Sequence, residues 1–341
     1  MAILWRLLLT IAINLQQKIL RYLGVVLLVV LLIKTPANGQ TIFLKEHFED
    51  ANLSARGWYD GVAATISTKE HAPVAGSTAS LEHKWTAGAT KAINGSAKRH
   101  LIPNTDSVYI SYWVKYSSNY VGSGKAYHPH EFHFLSNLDA DWSGLSWTYL
   151  TAYIEQGANS AGTGHGYPSV GIQDSTNIDT TKTNTNLVGV TENRAVAGCN
   201  GDSDGYGAGS CYLSAGQWFN GKTFWRDSVQ RFSDNPGPYY KSDWHHIEVY
   251  FKLNSIKNSI GQKNGIVRYW YDGTLLVDRT NVVFRTAQRS TLQFHQFVIA
   301  PYIGDGSPVE QTFWIDELTI ANEPPNNSAV PPLAPTGLRV R

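Results

Sequence analysis

The densest group of ionisable side chains lies in the sequence Lys125-Ala-Tyr-His-Pro-His-Glu-Phe-His-Phe134, which places three histidines and one glutamate within six residues. Imidazole exchanges protons near neutral pH, so His133 is a candidate general base, with Glu131 expected on the same strand face. We predict that His130 and Glu131 bind substrate. A zinc site and hydrogen-bonded structural histidines are the alternatives, although the spacing matches no standard zinc signature.

Three predicted strands, 108–116, 145–156 and 244–253, alternate apolar residues with aromatic and ionisable ones. Ile247, Val249, Phe251 and Leu253 are expected to face the core. The opposite set resembles a sugar platform, because the apolar face of a pyranose ring stacks on aromatic rings while its hydroxyls meet polar groups. An ordinary solvated sheet face is the alternative. From this set we predict the substrate-binding residues Trp113, Trp147, Tyr149, Trp244, His246 and Glu248.

The composition narrows the class of ligand. The chain has 341 residues with a net charge of +1, and only 16% of its residues are charged. It therefore lacks the basic surface that nucleic-acid binding requires. A neutral, aromatic-rich chain suits a polysaccharide partner, and we expect a monomer with no nucleic-acid partner.

The N-terminus predicts export. Residues 1–39 carry basic residues, then an apolar run over 22–33, then small residues before Gln40. This is a signal-peptide pattern, with an uncleaved membrane anchor as the alternative. Membrane contact is expected only through this segment. In a secreted or cell-surface protein, Cys199 and Cys211 are expected to form a disulfide around a Gly-rich loop.

The remaining chain predicts an all-β fold. Short strands are expected at 108–116, 131–135, 145–156, 245–253, 265–271, 275–284, 292–300 and 312–320, separated by turn residues. Asp272-Gly273 between two of them predicts a tight hairpin. We interpret 159–235 as mostly long loops, 40–322 as one domain, and 323–334 as a proline-rich linker.

The segment Asn200-Gly-Asp-Ser-Asp-Gly205 places oxygen ligands at alternate positions before a glycine, as in calcium loops. Cys211 stands where an EF-hand has its last glutamate, which excludes a complete EF-hand. Asp202 and Asp204 remain candidate calcium ligands, and a plain turn is the alternative. No cofactor is predicted to be required.

Two segments carry a family resemblance: Arg268-Tyr-Trp-Tyr-Asp-Gly-Thr-Leu-Leu-Val-Asp-Arg-Thr-Asn-Val-Val-Phe284 and Phe313-Trp-Ile-Asp-Glu-Leu-Thr-Ile320. The strand at 109–120 and Gly122-Ser-Gly-Lys125 add to it. Together they resemble concanavalin A-like polysaccharide lyases of the glucuronan, alginate and heparin lyase type. Two of that family's more specific motifs are altered here. The resemblance implies a jelly-roll β-sandwich. Separately, Pro335-Thr-Gly-Leu-Arg-Val340 resembles the start of a fibronectin type III domain.

The resemblance also implies a reaction, β-elimination from a uronate-containing glycan. In such a lyase we expect His133 as base, Tyr153 or Tyr250 as acid, and Lys125 or Arg268 beside the substrate carboxylate. A non-catalytic lectin-like or adhesion module is the first alternative. A glycoside hydrolase is the second. The Glu-x-Asp-x-x-Glu motif of related hydrolases is absent, but Glu131, Glu155 and Glu248 are candidates for pairing across strands.

Overall fold

The structure is a computed structural model that describes residues 39–125, 129–144, 148–158, 164–174, 210–214, 217–285 and 287–325. The predicted leader and the possible fibronectin-like segment lie outside these ranges. The same holds for Trp147, Cys199, Asp202 and Asp204, so the disulfide and calcium hypotheses stay predictions. Within the described ranges, no helix is long and apolar enough to cross a membrane.

Two large antiparallel sheets form the fold. Sheet 1 has the strand order β16-β15-β12-β6-β18-β4-β3, and β1 also pairs with β18. Its strands are β1 (Ile42–Glu46), β3 (Thr65–Ser67), β4 (Ser80–Trp85), β6 (Ser107–Tyr116), β12 (His245–Lys252), β15 (Gly265–Tyr271), β16 (Thr274–Val282) and β18 (Gln311–Ala321).

Sheet 2 has the order β10-β11-β9-β8-β7-β17-β5-β2. Its strands are β2 (Trp58–Asp60), β5 (Lys98–Thr105), β7 (His130–Ser136), β8 (Thr151–Gly157), β9 (Tyr167–Asp174), β10 (Ser210–Ser214), β11 (Gln217–Arg226) and β17 (Phe294–Tyr302). A small ribbon, β13 (Ile256–Lys257) with β14 (Ile260–Gly261), and two short 3-10 helices, Leu53–Arg56 and Ala287–Arg289, complete the described elements.

The core lies between the two sheets. Alternate residues of each strand point inward, and the two sets merge into one buried cluster. Phe251 of sheet 1, for example, contacts Phe134 of sheet 2 with ring centroids 6.4 Å apart. The predicted all-β jelly-roll sandwich is therefore confirmed.

The hairpin between β15 and β16 follows the turn chemistry expected from its sequence. Asp272 and Gly273 have φ values of 46° and 74°, the left-handed conformation that a two-residue hairpin turn needs at both positions. β15 has the predicted bounds. The predicted inward set of β12, which includes Ile247, Val249 and Phe251, is fully buried.

One prediction about the middle of the chain is wrong, because the strand predicted from 145 begins at Thr151. The sequence also gave no indication of β9, β10 and β11, which lie within the region interpreted as mostly long loops, 159–235. Pro168 and Gly171 weaken the strand signal of β9. Hydrogen bonding to β8 on one side and β11 on the other outweighs that local weakness.

Candidate active site on the outer face of sheet 2

The predicted site residues divide between the two outer faces of the sandwich. β6 and β12 are neighbours in sheet 1, whereas β8 belongs to sheet 2. Tyr250 and Arg268 therefore lie across the core from His133 and Tyr153. The prediction of one shared face for all three strands is wrong, because alternation tells which residues share a side of a strand but not which sheet the strand joins.

Sheet 2 aligns several functional side chains in one row across neighbouring strands. His133 of β7 is in register with Tyr153 of β8 and, on its other side, with Val298 of β17. Val298 is in register with Arg99 of β5. His133 and Val298 alternate with buried phenylalanines of their strands, and Tyr153 lies between the core residues Ala152 and Ile154, so these side chains point away from the core. The Arg99 side chain lies on the same face, because it bonds to Gln296 two residues before Val298. We call His133, Tyr153, Arg99 and His130 the sheet 2 cluster.

His133 is a buried, neutral imidazole in this cluster. Neither ring nitrogen has a hydrogen-bond partner among the described residues. Burial, reinforced by the nearby charges of His130 and Arg99, holds the pKa of His133 well below its usual value. Its ring meets that of Tyr153 nearly edge-on, with centroids 5.0 Å apart. Buried polar atoms without partners are unusual in stable folds. Because His83 in the core shares both properties, what marks His133 as a functional candidate is its position beside Tyr153, His130 and Arg99.

His130 forms the outer edge of the cluster. Its ring centroid lies 5.8 Å from that of His133 and 5.5 Å from that of Tyr153. Its Nδ1 lies 3.0 Å from Glu155 Oε2, and the His130 side chain is 28% exposed. His130 is thus the cluster member that solvent reaches, and Glu155 orients it.

Glu131 lies between the sheets, not beside His133 as predicted. Tyr116 Oη of sheet 1 donates a 2.9 Å hydrogen bond to Glu131 Oε1, and burial raises the pKa of Glu131 to about 8. The pairing of β7 with β17 is irregular between Ile299 and Tyr302, so the alternation seen at His133 does not continue to Glu131. Glu131 therefore has no direct role on the outer face.

Arg99 is a cluster residue that the sequence analysis missed. Its Nε donates to Asp60 Oδ2 at 2.9 Å, Nη1 to Gln296 Oε1 at 2.7 Å, and Nη2 to the Ser143 carbonyl at 2.9 Å. With the longer 3.5 Å contact from Nη1 to the Asp141 carbonyl, four of its five N–H groups have partners. β5 has no clear strand pattern in the sequence, because it begins with three consecutive basic residues and contains Pro103. The sequence therefore gave no indication that Arg99 belongs to this face.

Tyr153 is fixed from the side of β9. Its hydroxyl donates to Gln173 Oε1 at 3.2 Å. The residue in register with Tyr153 is Gly171, and a Cβ at that position would lie 2.4 Å from the Phe224 ring. The absence of a side chain at Gly171 therefore lets Phe224 pack beside Tyr153, with ring centroids 6.0 Å apart.

The remaining sheet 1 candidates form a separate group. Tyr250 Oη donates to Glu323 Oε2 at 2.6 Å, and Arg268 pairs with Asp278 at 2.9 Å. Tyr109 Oη donates to Glu248 Oε1 at 2.5 Å. The Trp113 ring contacts His246, with centroids 5.2 Å apart. Burial, followed by the effects of Glu323, raises the pKa of Tyr250, which opposes a role as acid.

Three other predicted residues have their described contacts elsewhere in the structure. Lys125 forms an ion pair with Asp305 at 2.9 Å. Tyr149 precedes β8, packs against the core and carries the Arg289 guanidinium 4.8 Å from its ring centroid. Trp244 is half-buried just before β12.

The described residues contain no group of three or more histidine, cysteine or acidic side chains placed to hold a metal ion. The candidate zinc site around His130 and His133 is therefore not formed by the described part of that segment. Glu248 lies on the other sheet from Glu155, and Glu131 faces the interior. Glu248 therefore pairs with neither of the other two, whereas Glu155 is close enough for its charge to add to the effect of burial in raising the pKa of Glu131. Because Glu131 is buried between the sheets, this pair does not flank a shared site on the outer face.

Comparisons with known proteins give structural likenesses only. No protein-family model matches the chain, and no curated protein matches it. Among solved structures, the chain is similar to alginate lyase Aly36B in complex with alginate tetrasaccharide, with 13% identity and a TM-score of 0.46, over 84% of this chain and 98% of that one.

Two further alginate lyases give similar values. The enzyme vAL-1 from Chlorella virus has 12% identity and a TM-score of 0.45, over 83% of this chain and 100% of that one. The marine enzyme from Aplysia kurodai has 11% identity and a TM-score of 0.48, over 83% of this chain and 100% of that one. At this level of similarity, the comparison does not identify the reaction of this chain.

Proposed function

We propose that this protein binds uronate-containing polysaccharide on the outer face of sheet 2 and cleaves it there by β-elimination. The observation that carries the proposal is His133, a neutral imidazole beside Tyr153 whose two nitrogens have no hydrogen-bond partner in the described part of the chain. A general base must be unprotonated to accept a proton, and burial keeps His133 in that form.

Each step of the reaction has a candidate group in the sheet 2 cluster. His133 takes the proton from the carbon next to the uronate carboxylate. The electron pair forms a carbon–carbon double bond as the glycosidic C–O bond breaks, and Tyr153 protonates the leaving oxygen. The fifth N–H group of Arg99, on Nη2, has no hydrogen-bond partner among the described residues and is the candidate donor to the carboxylate, whose charge must be neutralised for the carbon acid to ionise.

Access to His133 is a condition of this mechanism. His133 has no exposed surface, and Arg99 and Tyr153 are each 5% exposed. Substrate must therefore displace covering side chains, and half-buried His130 is the cluster residue that it meets first. Removal of water around the base would also strengthen the electrostatic interactions within the site.

Non-catalytic binding is the second candidate function, and the burial of His133 is the observation that favours it. In that case sugars would contact only the exposed side chains of the face. As part of either function we propose an exported protein, secreted or held at the cell surface, on the basis of the apolar run and small residues near the N-terminus.

The chemistry of the products separates the candidates. We would incubate the protein with alginate, glucuronan, heparin and a neutral glucan, and measure ultraviolet absorbance and new reducing ends in parallel. Elimination predicts both signals on a uronate polymer, because the new double bond is conjugated with the carboxylate. Reducing ends without absorbance would indicate hydrolysis. Binding with neither signal would leave a carbohydrate-binding module and contradict the lyase proposal.

A further inference from the structure

Trp142 is the most exposed of the large apolar side chains in the described part of the chain, at 65%. It lies in the turn 139–144 that follows β7. Exposure alone carries no inference, because single apolar side chains are common on protein surfaces. Trp142 differs because its backbone and its ring are both firmly held.

Side chains on the outer face of sheet 2 donate hydrogen bonds to the backbone of this turn. Tyr59 Oη and Gln296 Nε2 each donate to the Asp141 carbonyl at 2.9 Å, and Arg99 Nη2 donates to the Ser143 carbonyl at 2.9 Å. Gln296 Nε2 also donates to Tyr59 Oη at 2.6 Å. Three strands thus fix the backbone on either side of Trp142.

The indole ring itself rests on Tyr59. The two rings meet nearly edge-on, at 69° with centroids 5.1 Å apart. This contact fixes the orientation of the ring while most of its surface stays in solvent. A rigid aromatic side chain loses little conformational entropy on binding, so it is well suited to receive a ligand.

Tyr59, on which the Trp142 ring rests, lies three strands away from the candidate base. Tyr59, Arg99, Val298 and His133 are in register across β2, β5, β17 and β7. Three strand spacings separate the Tyr59 and His133 backbones, roughly 14 Å. A polysaccharide running across the strands would pass over both, whereas a disaccharide seated at His133 would be too short to reach Tyr59.

We propose that Trp142, supported by Tyr59, is a remote subsite that stacks on a pyranose ring of a polysaccharide bound along this row. The inference rests on the proposed polysaccharide binding. It adds the binding position of a sugar unit that lies away from His133. The ring offers an apolar face, and its turn neighbours Asp141 and Ser143 are polar. A protein partner would require a larger apolar patch than one ring in polar surroundings.

Affinity measurements on the full chain test this subsite without depending on catalysis. We would measure binding of the wild type, Trp142→Ala, Trp142→Phe and Leu275→Ala to alginate, glucuronan, heparin and a neutral glucan, and to a disaccharide of each polymer. Leu275 is the matched control, because it is 43% exposed on β16 of the other sheet. Unfolding midpoints of all variants should match the wild type.

The expected result is a roughly tenfold loss of polymer affinity in Trp142→Ala, the scale of desolvating one aromatic face. Trp142→Phe should lose less, and Leu275→Ala nothing. Disaccharide affinity should be unchanged. Unchanged polymer affinity in Trp142→Ala, equal losses for polymer and disaccharide, or no wild-type binding to any glycan tested would each overturn the subsite.

These affinity measurements and the absorbance assay of the proposed reaction together separate the two hypotheses. Polymer binding that depends on Trp142, without ultraviolet-absorbing products, would keep the subsite and contradict the lyase. Ultraviolet-absorbing products with affinity independent of Trp142 would keep the lyase and contradict the subsite.

Discussion

Replacement of Glu131 by glutamine should change how stability depends on pH, because this carboxyl group is buried between the sheets. Burial raises its pKa from 4.5 in the unfolded chain to about 8 in the folded protein. Its contribution to stability is therefore fully present below pH 4.5 and is lost as pH rises towards 8. Glutamine has a similar shape, accepts the same hydrogen bond from Tyr116 and does not titrate.

The size of the effect follows from the two pKa values. At pH 5 the unfolded chain has already released most of the Glu131 proton, and by pH 7 nearly all of it, whereas the folded protein keeps the proton over most of this interval. Integration over that interval gives a loss of about 2–3 kcal/mol in the stability of the wild type that Glu131→Gln does not undergo. The difference in free energy of unfolding between the variant and the wild type should therefore grow by roughly 2–3 kcal/mol from pH 5 to pH 7.

Urea unfolding followed by tryptophan fluorescence measures this difference directly. Glu310→Gln is the matched control, because its side chain is 61% exposed and forms only a surface ion pair with Lys84. That variant should differ from the wild type by less than about 0.5 kcal/mol at either pH. An equal difference between Glu131→Gln and the wild type at pH 5 and pH 7 would refute the assignment of a neutral buried carboxyl.

Three further predictions concern the cluster and the core. Tyr153→Phe should lower kcat for elimination by roughly 10²–10⁴-fold with little change in KM, measured by steady-state kinetics, since only its proton donor is removed. Arg99→Lys should lower the free energy of unfolding by about 2 kcal/mol, because one ammonium group cannot replace the guanidinium hydrogen bonds to Asp60, Gln296 and the Ser143 carbonyl. An unchanged midpoint in urea unfolding would contradict this network. Burial holds the pKa of His83 well below its usual value, so at pH values below about 6.5 the unfolded chain binds a proton at His83 that the folded protein does not. The free energy of unfolding should therefore decrease by up to ~1.4 kcal/mol for each pH unit of acidification, and His83→Gln should reduce that slope in urea unfolding.

The sequence was sufficient for the features that depend on local chemistry. The Asp272-Gly273 hairpin and the inward set of β12 follow from turn preference and from alternation within a strand, and both are observed. The position of Tyr153 opposite the core-facing residues of its strand followed from the same alternation. These patterns need no knowledge of the neighbouring strands.

The parts that failed depend on pairing between distant strands. Nothing within β8 or β12 shows that they belong to different sheets, so Tyr250 was grouped with Tyr153. Glu131 was misplaced because an irregularity in the pairing of β7 with β17 changes the alternation. Arg99 gains its partners from residues far away in sequence, and only the folded chain brings them together.

The most direct test of the central claim is the rate of ultraviolet absorbance increase on uronate polymers in variants of two histidines. His133→Ala and His133→Gln should lower the rate by roughly 10²–10⁴-fold. His246→Ala, which removes a histidine from the outer face of sheet 1, should keep the wild-type rate. Loss of the signal only in the His133 variants is the predicted result. An undiminished rate without His133, or no absorbance on any uronate with the wild type, would contradict it.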